Sequence, residues 1–190
     1  SRLIGELHRY ATLRETSALV DKQPVNLADI VHQSINFYKA MAEEKSLQIK
    51  TNVEAVEVEA DADALGEVVG NLVVNAIQYT PAGGGIAVSL QPADSGARLE
   101  VQDTGIGIPP EASARIFDEF YRTSEAKKTF TDGTGMGLPI VKRIVQVHGG
   151  TIHVESQPGQ GARFVVKLPG NPSNSPDDEP EDRSEPPEAA

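Results

Sequence analysis

Apolar residues recur at helical spacing along the stretch from Asp61 to Thr80. A spacing of three and four residues places such side chains on one face of a helix, where they can pack against a core. Asp61 marks the predicted start, because its carboxylate can accept hydrogen bonds from the unpaired N–H groups of the first turn. The residues of this apolar face are Leu65, Val68, Val69, Leu72, Val73, Ala76 and Ile77.

The same helix carries a row of four polar residues, Glu67, Asn71, Asn75 and Gln78. Residues three or four positions apart share a helix face, so these side chains form a line along it. Asparagine is a poor helix former that favours caps and turns, so two of them in mid-helix need a reason. The row is either a solvated stripe or a set of carbonyl oxygens aimed at a metal or a polar ligand. The helix alone leaves both interpretations open.

The remaining pattern predicts helices on one face of a mixed, mostly antiparallel sheet. This arrangement is an α+β fold, a two-layer α/β sandwich. Breaker residues and alternating apolar residues set the predicted boundaries. The predicted elements are a helix over 27–45, strands over 47–53 and 56–60, a hairpin containing residues 86–90 and 99–101, a short helix over 111–120, a mobile polar loop over 121–134, a helix from Gly133 to about His148, and a hairpin over 151–156 and 161–168.

The two ends of the chain differ in composition from the middle, so we divide it into three segments. Residues 1–23 form a helical arm whose apolar residues fit one seam, and this arm is too short to be a stable domain alone. Residues 24–169 form the domain with the mixed sheet. Residues 170–190 are rich in Pro, Ser, Asp and Glu, and we expect them to be disordered because they cannot bury enough apolar surface.

Composition excludes several classes of protein. The 190 residues are 38% hydrophobic and carry a formal net charge of −11, about half of it in the acidic tail. There is no basic stripe that would indicate a nucleic-acid partner. The absence of cysteine excludes disulfides and thiolate metal sites, and fits a cytoplasmic location. No long apolar run or signal peptide is present, although a longer parent protein could be anchored in a membrane.

Asp103 is followed by Gly105 and Gly107 in the sequence DTGIG. Glycine lets a flat ligand approach the main chain, and a carboxylate beside it can accept a hydrogen bond from an exocyclic amine such as that of adenine. The same pattern also fits a turn at a strand end that needs glycine backbone angles. On its own, the motif favours the turn.

A second glycine motif, GTGMGL, opens the helix that we predict up to about His148. Consecutive backbone N–H groups at a helix start attract anions, and phosphate fits there. The alternative is a flexible hinge without a ligand. The spacing differs from the dinucleotide fingerprint, and the chain has no P-loop sequence.

The amide oxygens of Asn71 and Asn75 lie on one helix face in this prediction. Mg²⁺ takes oxygen ligands and is often held by few protein groups, with water and phosphate completing its shell. An asparagine oxygen, a phosphate loop and Mg²⁺ would together form a nucleotide site.

The order of these motifs resembles the catalytic domain of sensor histidine kinases of two-component signalling. NLVVNAIQYTP resembles the Asn-rich helix motif, DTGIGIP the first glycine motif, IFDEFYR the Phe motif and GTGMGLPIVKRIV the second glycine motif. The resemblance covers about residues 3–169. It implies an α/β sandwich shared with DNA gyrase, mismatch-repair ATPases and a heat-shock chaperone, and it implies ATP and Mg²⁺ as cofactors.

The resemblance also implies roles for individual residues. Asn75 would bind Mg²⁺ with help from Asn71. Asp103 would accept a hydrogen bond from the adenine amine, and Arg122 would reach the phosphates. The nucleotide would be bound by Asn71, Asn75, Gln78, Tyr79, Asp103, Gly105, Gly107, Arg122, Gly133, Thr134, Gly135, Met136, Gly137 and Leu138, with Asn71, Asn75 and Arg122 as the catalytic set.

Two departures from the family pattern stand out. The family often has Lys where this chain has Gln78, and an amide supplies a hydrogen bond but no charge. The phosphoacceptor helix is also missing, because His8 is followed by Arg9 and Tyr10 rather than by an acid. Residues 1–23 instead resemble the second helix of the dimerisation hairpin, whose first helix would carry the acceptor histidine.

Three functions remain open on this basis. The leading one is a protein-histidine kinase that transfers the γ-phosphoryl group of Mg-ATP to that histidine. An ATP-hydrolysing machine of the same fold is less favoured, because its relatives place a glutamate base where this chain has Asn71. A nucleotide-binding module without chemistry is the third.

The resemblance implies several partners besides ATP. They are the acceptor hairpin of the parent kinase and a response regulator, and the parent would be a homodimer. The domain would be cytoplasmic, in a parent protein that could be anchored in the inner membrane.

Overall fold

A computed structural model of the chain describes residues 4–5, 21–93 and 96–170. The arm predicted over 1–23 and the tail predicted over 170–190 lie almost entirely outside the described residues. None of the helices in the described part is long and apolar enough to cross a membrane. The elements are β1 (Gln23–Asn26), α1 (Leu27–Glu44), β2 (Gln48–Val53), β3 (Glu57–Ala60), α2 (Ala62–Tyr79), β4 (Gly85–Ala93), β5 (Gly96–Asp103), a 3₁₀ turn (Pro110–Ala112), α3 (Ser124–Thr129), α4 (Gly137–Val147), β6 (Thr151–Ser156) and β7 (Ala162–Pro169).

The main sheet has five strands in the order β2-β4-β5-β7-β6. The pair β2 and β4 is parallel, and the other neighbours are antiparallel. A separate antiparallel pair is formed by β1 and β3. The mixed, mostly antiparallel sheet and the helices confirm the predicted α+β sandwich.

Side-chain caps begin the two long helices. Asn26 accepts a hydrogen bond from the Ala28 N–H at 3.1 Å, and Asp61 accepts one from the Ala64 N–H at 3.0 Å. Each cap satisfies one of the N–H groups that have no partner within the helix. The start of α2 is therefore where the sequence predicts it.

Helix α2 lies between α1 and α4 and contributes most of its apolar residues to the core. Leu65, Leu72 and Ile77 are almost completely buried, as are Leu90 and Leu99 on the strands. Because α2 contacts α1, α4 and strand β5, its polar row has a fixed position relative to the sheet.

Two predicted elements between β5 and α4 are wrong in part. The short helix expected over 111–120 is a 3₁₀ turn over Pro110–Ala112 followed by further turns. Only Ala112 and Ile116 of this segment are fully buried, so no regular apolar face requires a continuous helix. The loop expected over 121–134 contains α3, whose start is capped by the Thr123 hydroxyl, which accepts from the Ala126 N–H at 3.1 Å. No residue of α3 is buried.

Candidate functional site

A cleft lies between α2, the loop after β5, and the segment that connects this loop to α4. Its empty space is about 950 Å³ when the part that opens to solvent is included. All but two of the predicted site residues line it, namely Asn71, Asn75, Gln78, Tyr79, Asp103, Gly107, Arg122, Gly133, Thr134, Gly135, Gly137 and Leu138.

The two exceptions support the cleft from behind. Met136 is completely buried in the core. Gly105 lies against α2, where an added Cβ would be 2.4 Å from the Tyr79 carbonyl oxygen and 2.7 Å from Oδ1 of Asp103. Its missing side chain therefore permits a close contact between protein segments, rather than one along the cleft.

The polar row of α2 faces the cleft from Asn71 onward. The Asn71 side-chain N–H donates to the Glu67 carbonyl oxygen at 3.0 Å. This bond leaves Oδ1 of Asn71 pointing towards the start of α4, where a Cβ on Gly137 would lie 3.0 Å from it. The Asn75 amide lines the cleft without a hydrogen-bond partner among the described residues, so both of its polar atoms are available to a ligand. Glu67 does not line the cleft.

Asp103 ends β5 at the base of the cleft and is only 6% exposed. Its Oδ1 accepts hydrogen bonds from the Gly105 N–H at 2.7 Å and the Ala162 N–H at 3.3 Å. Burial raises the pKa of this carboxyl, and the two backbone hydrogen bonds oppose the rise. These bonds fix the carboxyl plane and leave Oδ2 as an acceptor for a ligand.

Gly107 continues the turn after β5 with a φ of 69°. A Cβ at this position would lie 1.9 Å from the Gln157 carbonyl oxygen, which belongs to the β6–β7 connection. The Gly159 N–H also donates to the Ile106 carbonyl oxygen at 2.8 Å. This side of the cleft is thus locked by backbone contacts between two loops.

The start of α4 offers N–H groups to the cleft. No side chain caps this helix, because Met136 occupies the N-cap position and makes no side-chain hydrogen bond there. The N-terminus of an uncapped helix carries partial positive charge and unpaired donors, which together bind phosphate well. Gly137 and Leu138 line the cleft at this point.

We use the term lid for the segment over 121–134 that closes the other side of the cleft. Its ends meet at two residues with positive φ, Phe120 at 61° and Gly135 at 76°. The Phe120 N–H donates to the Gly135 carbonyl oxygen at 3.2 Å. A Cβ on Gly135 would lie 2.8 Å from the Phe120 carbonyl carbon, so glycine is required for this close approach.

Arg122 is bonded to the lid itself rather than directed at the open cleft. Its guanidinium donates to carbonyl oxygens of Gly133 at 2.8 Å, Ala126 at 2.9 Å and Thr131 at 3.2 Å, and also to that of Phe130. The Nε atom is buried without a partner among the described residues. One side chain therefore holds most of the lid backbone in place.

Most of the apolar lining of the cleft was not among the predicted site residues. Ile106 and Ile108 alternate with the glycines after Asp103, and that alternation was the available sequence signal. Phe164 comes from the alternating pattern of β7, which gives no local sign of a ligand. The other additional residues of the lining are Val74, Ile116, Tyr121, Thr123, Ala126 and Ala162.

A metal held by protein groups alone is not seen in the cleft. Within residues 4–5, 21–93 and 96–170 no three His, Cys, Asp or Glu side chains converge. The free Asn75 oxygen suits Mg²⁺, which takes oxygen ligands and commonly retains phosphate and water in its shell. The donor set therefore fits a metal that arrives with a nucleotide.

His148, at the end of α4, is nearly completely buried and lies away from the cleft. Its Nδ1 is 2.8 Å from the Ile144 carbonyl oxygen, and its Nε2 accepts from the Asp61 N–H at 3.1 Å. The imidazole thus joins the end of α4 to the start of α2. Burial lowers its pKa, which favours the neutral form that these two bonds require.

Comparison with protein families gives one match. The model described as "Histidine kinase-, DNA gyrase B-, and HSP90-like ATPase" matches residues 60–172. This range begins just before α2 and contains all the residues of the cleft.

Individual relatives agree with this match. The sensor-like histidine kinase SenX3 of Mycolicibacterium smegmatis is 35% identical over 96% of this chain and 48% of its own length. The chain therefore spans about half the length of this curated relative. Among solved structures, full-length ShkA in complex with AMPPNP has a TM-score of 0.77 with 31% identity over 88% of this chain and 35% of its own. The mycobacterial sensor histidine kinase MprB has a TM-score of 0.68 with 31% identity over 80% of this chain and 99% of its own.

Proposed function

The chain belongs to the family of histidine kinase-, DNA gyrase B- and HSP90-like ATPases and contains the catalytic ATP-binding domain of a sensor histidine kinase, and on this premise we propose that it transfers the γ-phosphoryl group of Mg-ATP to a histidine on a separate acceptor helix. The observation that carries the proposal is the convergence on one cleft of a free Asp103 oxygen, an apolar surface and the uncapped start of α4. The amine of a purine, its ring and the phosphates of the nucleotide need these three features in this order.

The base is proposed to bind at the end of β5. Oδ2 of Asp103 accepts a hydrogen bond from the adenine amine, while Ile106 and Ile108 cover the ring. A hydrogen bond to a buried charged acceptor contributes more than one between neutral groups, so this carboxylate selects adenine over a base with an oxo group at that position.

The phosphates are proposed to extend from there towards α4. The N–H groups at the start of this helix bind the phosphate oxygens, and Asn75 ligates Mg²⁺. When bound, Mg²⁺ neutralises phosphate charge and orients the γ-phosphoryl group. Asn71, whose free Oδ1 faces the start of α4, assists in placing it.

The acceptor imidazole is proposed to attack the γ-phosphorus with its unprotonated nitrogen. A P–N bond forms as the bond from the γ-phosphorus to the β–γ bridging oxygen breaks, and ADP leaves with the electron pair. The residues of the cleft contribute positioning and charge stabilisation, as in other phosphoryl transfers. Arg122 is placed to contribute once it exchanges lid carbonyls for phosphate oxygens.

Hydrolysis is the less supported alternative. A water would need a general base next to the γ-phosphate, and the position that would supply it holds Asn71, an amide whose N–H is already bonded to the Glu67 carbonyl oxygen. The nearest acid on that face, Glu67, lies outside the cleft.

An experiment with labelled ATP separates the possibilities. The protein is incubated with γ-labelled ATP and Mg²⁺, with and without a separate helical hairpin that carries an acceptor histidine. We expect label on the hairpin only in the mixture. Steady release of phosphate without the hairpin would instead establish an ATPase, and nucleotide binding with neither result would establish a binding module. A downstream response regulator is proposed to receive the phosphoryl group from the hairpin of a dimeric parent kinase.

The Mg²⁺ assignment is tested by Asn75→Ala. The half-buried amide makes no hydrogen bond within the described part of the chain, so we expect the fold to persist while the Mg²⁺-dependent part of ATP affinity falls about tenfold or more. Titration calorimetry with and without EDTA measures that part directly. An unchanged Mg²⁺ dependence would contradict the assignment.

A further inference from the structure

Lys45 follows α1 and extends its side chain to the end of α2, more than thirty residues further along the chain. The ammonium donates to the carbonyl oxygens of Ile77 at 2.7 Å, Thr80 at 2.8 Å and Gln78 at 3.1 Å. An ammonium has three N–H donors, so all of them are used. The main-chain carbonyl oxygen of Lys45 accepts a hydrogen bond from the Gly83 N–H at 3.1 Å, which links the turn after α2 to the same residue.

This contact supplies a charge that α2 lacks. The last turn of α2 contains no basic residue, and its end carries partial negative charge from unpaired carbonyl groups. The lysine that follows α1 thus caps α2 across the interface between the two helices. Burial lowers the pKa of Lys45, but three carbonyl dipoles at close range suit the protonated form.

The end of α2 is also where the cleft begins. Gln78 and Tyr79 line the cleft, and the Tyr79 carbonyl oxygen accepts from the Ile106 N–H at 3.2 Å. Lys45 bonds the carbonyls on both sides of Tyr79, so it fixes the peptide groups that present this oxygen to the loop after Asp103. A small rotation of this turn would move Ile106 and the apolar surface of the cleft.

We propose that Lys45 is a positioning residue for nucleotide binding, which acts by clamping the end of α2 against the loop over 104–107. This inference rests on the proposed function, because it assigns Lys45 to the same ATP cleft. Lys45 is not among the residues that line the cleft, and its bond to the cleft residue Gln78 goes to the main-chain carbonyl oxygen. Its effect passes through the Tyr79 carbonyl and the Ile106 amide.

The test compares Lys45→Met with Lys39→Met as the matched control. Lys39 lies on α1, the helix that Lys45 follows, is exposed, and makes a 3.8 Å ion pair with Glu43. ATP affinity is measured by calorimetry well below the unfolding temperature of each variant and is corrected for the folded fraction. We expect a threefold to tenfold loss of affinity for Lys45→Met and none for Lys39→Met. Loss of global stability alone would not change this corrected affinity.

A second readout follows the local mechanism in the absence of nucleotide. Hydrogen exchange of the Ile106 amide should become faster in Lys45→Met than in the wild type. This acceleration should exceed any acceleration shared by the core amides by at least several-fold. Lys45→Arg keeps the charge but has a planar donor group, which cannot reach three converging carbonyls equally, so an intermediate effect is expected. It also provides the comparison if Lys45→Met does not fold.

The outcomes separate the two proposals. Wild-type affinity and wild-type Ile106 exchange in the folded Lys45 variants would overturn the positioning role while leaving ATP binding intact. Failure of the wild-type protein to bind ATP would overturn the proposed function, and with it this inference. Loss of affinity together with faster Ile106 exchange would support both.

Discussion

The two sides of the cleft are held in place by different kinds of contact. On one side, α2 and the loop after β5 are fixed by contacts with the backbone of other elements, namely the hydrogen bonds of the buried Asp103 and the half-buried Lys45 and the close approach of Gly107 to Gln157. On the other side, the lid contains a helix without a single buried residue and is held mainly by the guanidinium of Arg122. We refer to the first as the fixed wall.

This difference assigns separate tasks to the two sides. Groups that are locked by backbone contacts can select a base, because their geometry costs nothing further to organise when the ligand arrives. A segment with few buried contacts opens at low free energy and can follow the phosphates as they enter or leave. The positive φ values of Phe120 and Gly135 place the bends of the lid at its two ends.

The largest expected effect comes from adding one methyl group to a glycine on each side. Gly107→Ala forces a Cβ to within 1.9 Å of a backbone oxygen at a positive φ, so we expect the free energy of unfolding to fall by about 3 kcal/mol or more. For Gly133→Ala the three atoms nearest to the added Cβ all belong to the Arg122 guanidinium, the closest at 2.8 Å, and the change should cost about 1 kcal/mol or less. Urea unfolding measures both, and equal losses would show that the two sides are equally rigid.

The next effect concerns the selection of the base by the fixed wall. In Asp103→Asn the amide oxygen can still accept from the Gly105 N–H, but an NH₂ group replaces the oxygen that faces the cleft. Loss of a charge-assisted hydrogen bond of about 1.5–3 kcal/mol predicts ATP affinity about tenfold to a hundredfold lower. Inosine triphosphate has an oxo group in place of the amine, so it should bind more tightly to this variant than to the wild type.

Stability provides the control for Asp103→Asn. Burial raises the folded-state pKa of Asp103 above its unfolded value, so the charged carboxylate opposes folding once the pH exceeds the unfolded pKa. Removing the charge should therefore leave the free energy of unfolding at pH 7 unchanged or slightly increase it. An unchanged preference for ATP over inosine triphosphate would show that Asp103 does not read the base.

A smaller effect tests whether one side chain holds the lid. Arg122→Gln removes most of the hydrogen bonds to the carbonyls of residues 126–133, so trypsin should cleave after Lys127 or Lys128 about tenfold faster, which corresponds to about 1.4 kcal/mol of local opening. Lys50→Gln, at an exposed position on β2, is the control. Global unfolding should change little in either variant. Equal cleavage rates would mean that other contacts hold the lid.

The sequence predicts the fixed wall better than the lid because the signals of the wall are local. The apolar spacing of α2, its cap at Asp61 and the alternation along β4 and β5 all lie within a few residues of the structure that they specify. The four motifs that resemble those of sensor histidine kinases also contain most of the cleft residues. The segment over 111–120 was predicted wrongly because its few apolar residues satisfy the core through turns and do not need a helix.

Contacts between distant segments could not be predicted in this way. The prediction of Arg122 at the phosphates says nothing of the bonds that its guanidinium makes to lid carbonyls up to eleven residues away. Lys45 reaches carbonyls that are 32–35 residues distant, and nothing near Lys45 in the sequence indicates that reach. Both are long cations that satisfy backbone oxygens, a task that depends on the assembled fold rather than on spacing.

The smallest expected effect is a pH dependence in the fixed wall that the lid should not share. His148 joins α4 to the start of α2, and its Nε2 must be unprotonated to accept from the Asp61 N–H. Burial lowers its folded-state pKa below the unfolded value of 6.5, so below about pH 6.5 the unfolded chain binds the proton more readily. Stability should therefore fall as the pH drops from 7.5 to 5.5, by at most about 1.4 kcal/mol per pH unit for one proton. Lys22, which also lowers the pKa, and Asp61, which raises it, modulate the response.

The comparison of wild type with His148→Gln isolates this proton. The contribution of Asp103 has the opposite sign, because its folded-state pKa is raised, and it is common to both proteins. Chemical unfolding at several pH values should thus give a difference between the two proteins that shrinks on acidification, since the variant has lost the titrating group. Tryptic cleavage of the lid, corrected for global unfolding, should stay constant over this range. A difference in stability that does not vary with pH would mean that His148 binds its proton equally well in the folded and the unfolded state, and that the link between α4 and α2 does not respond to acid.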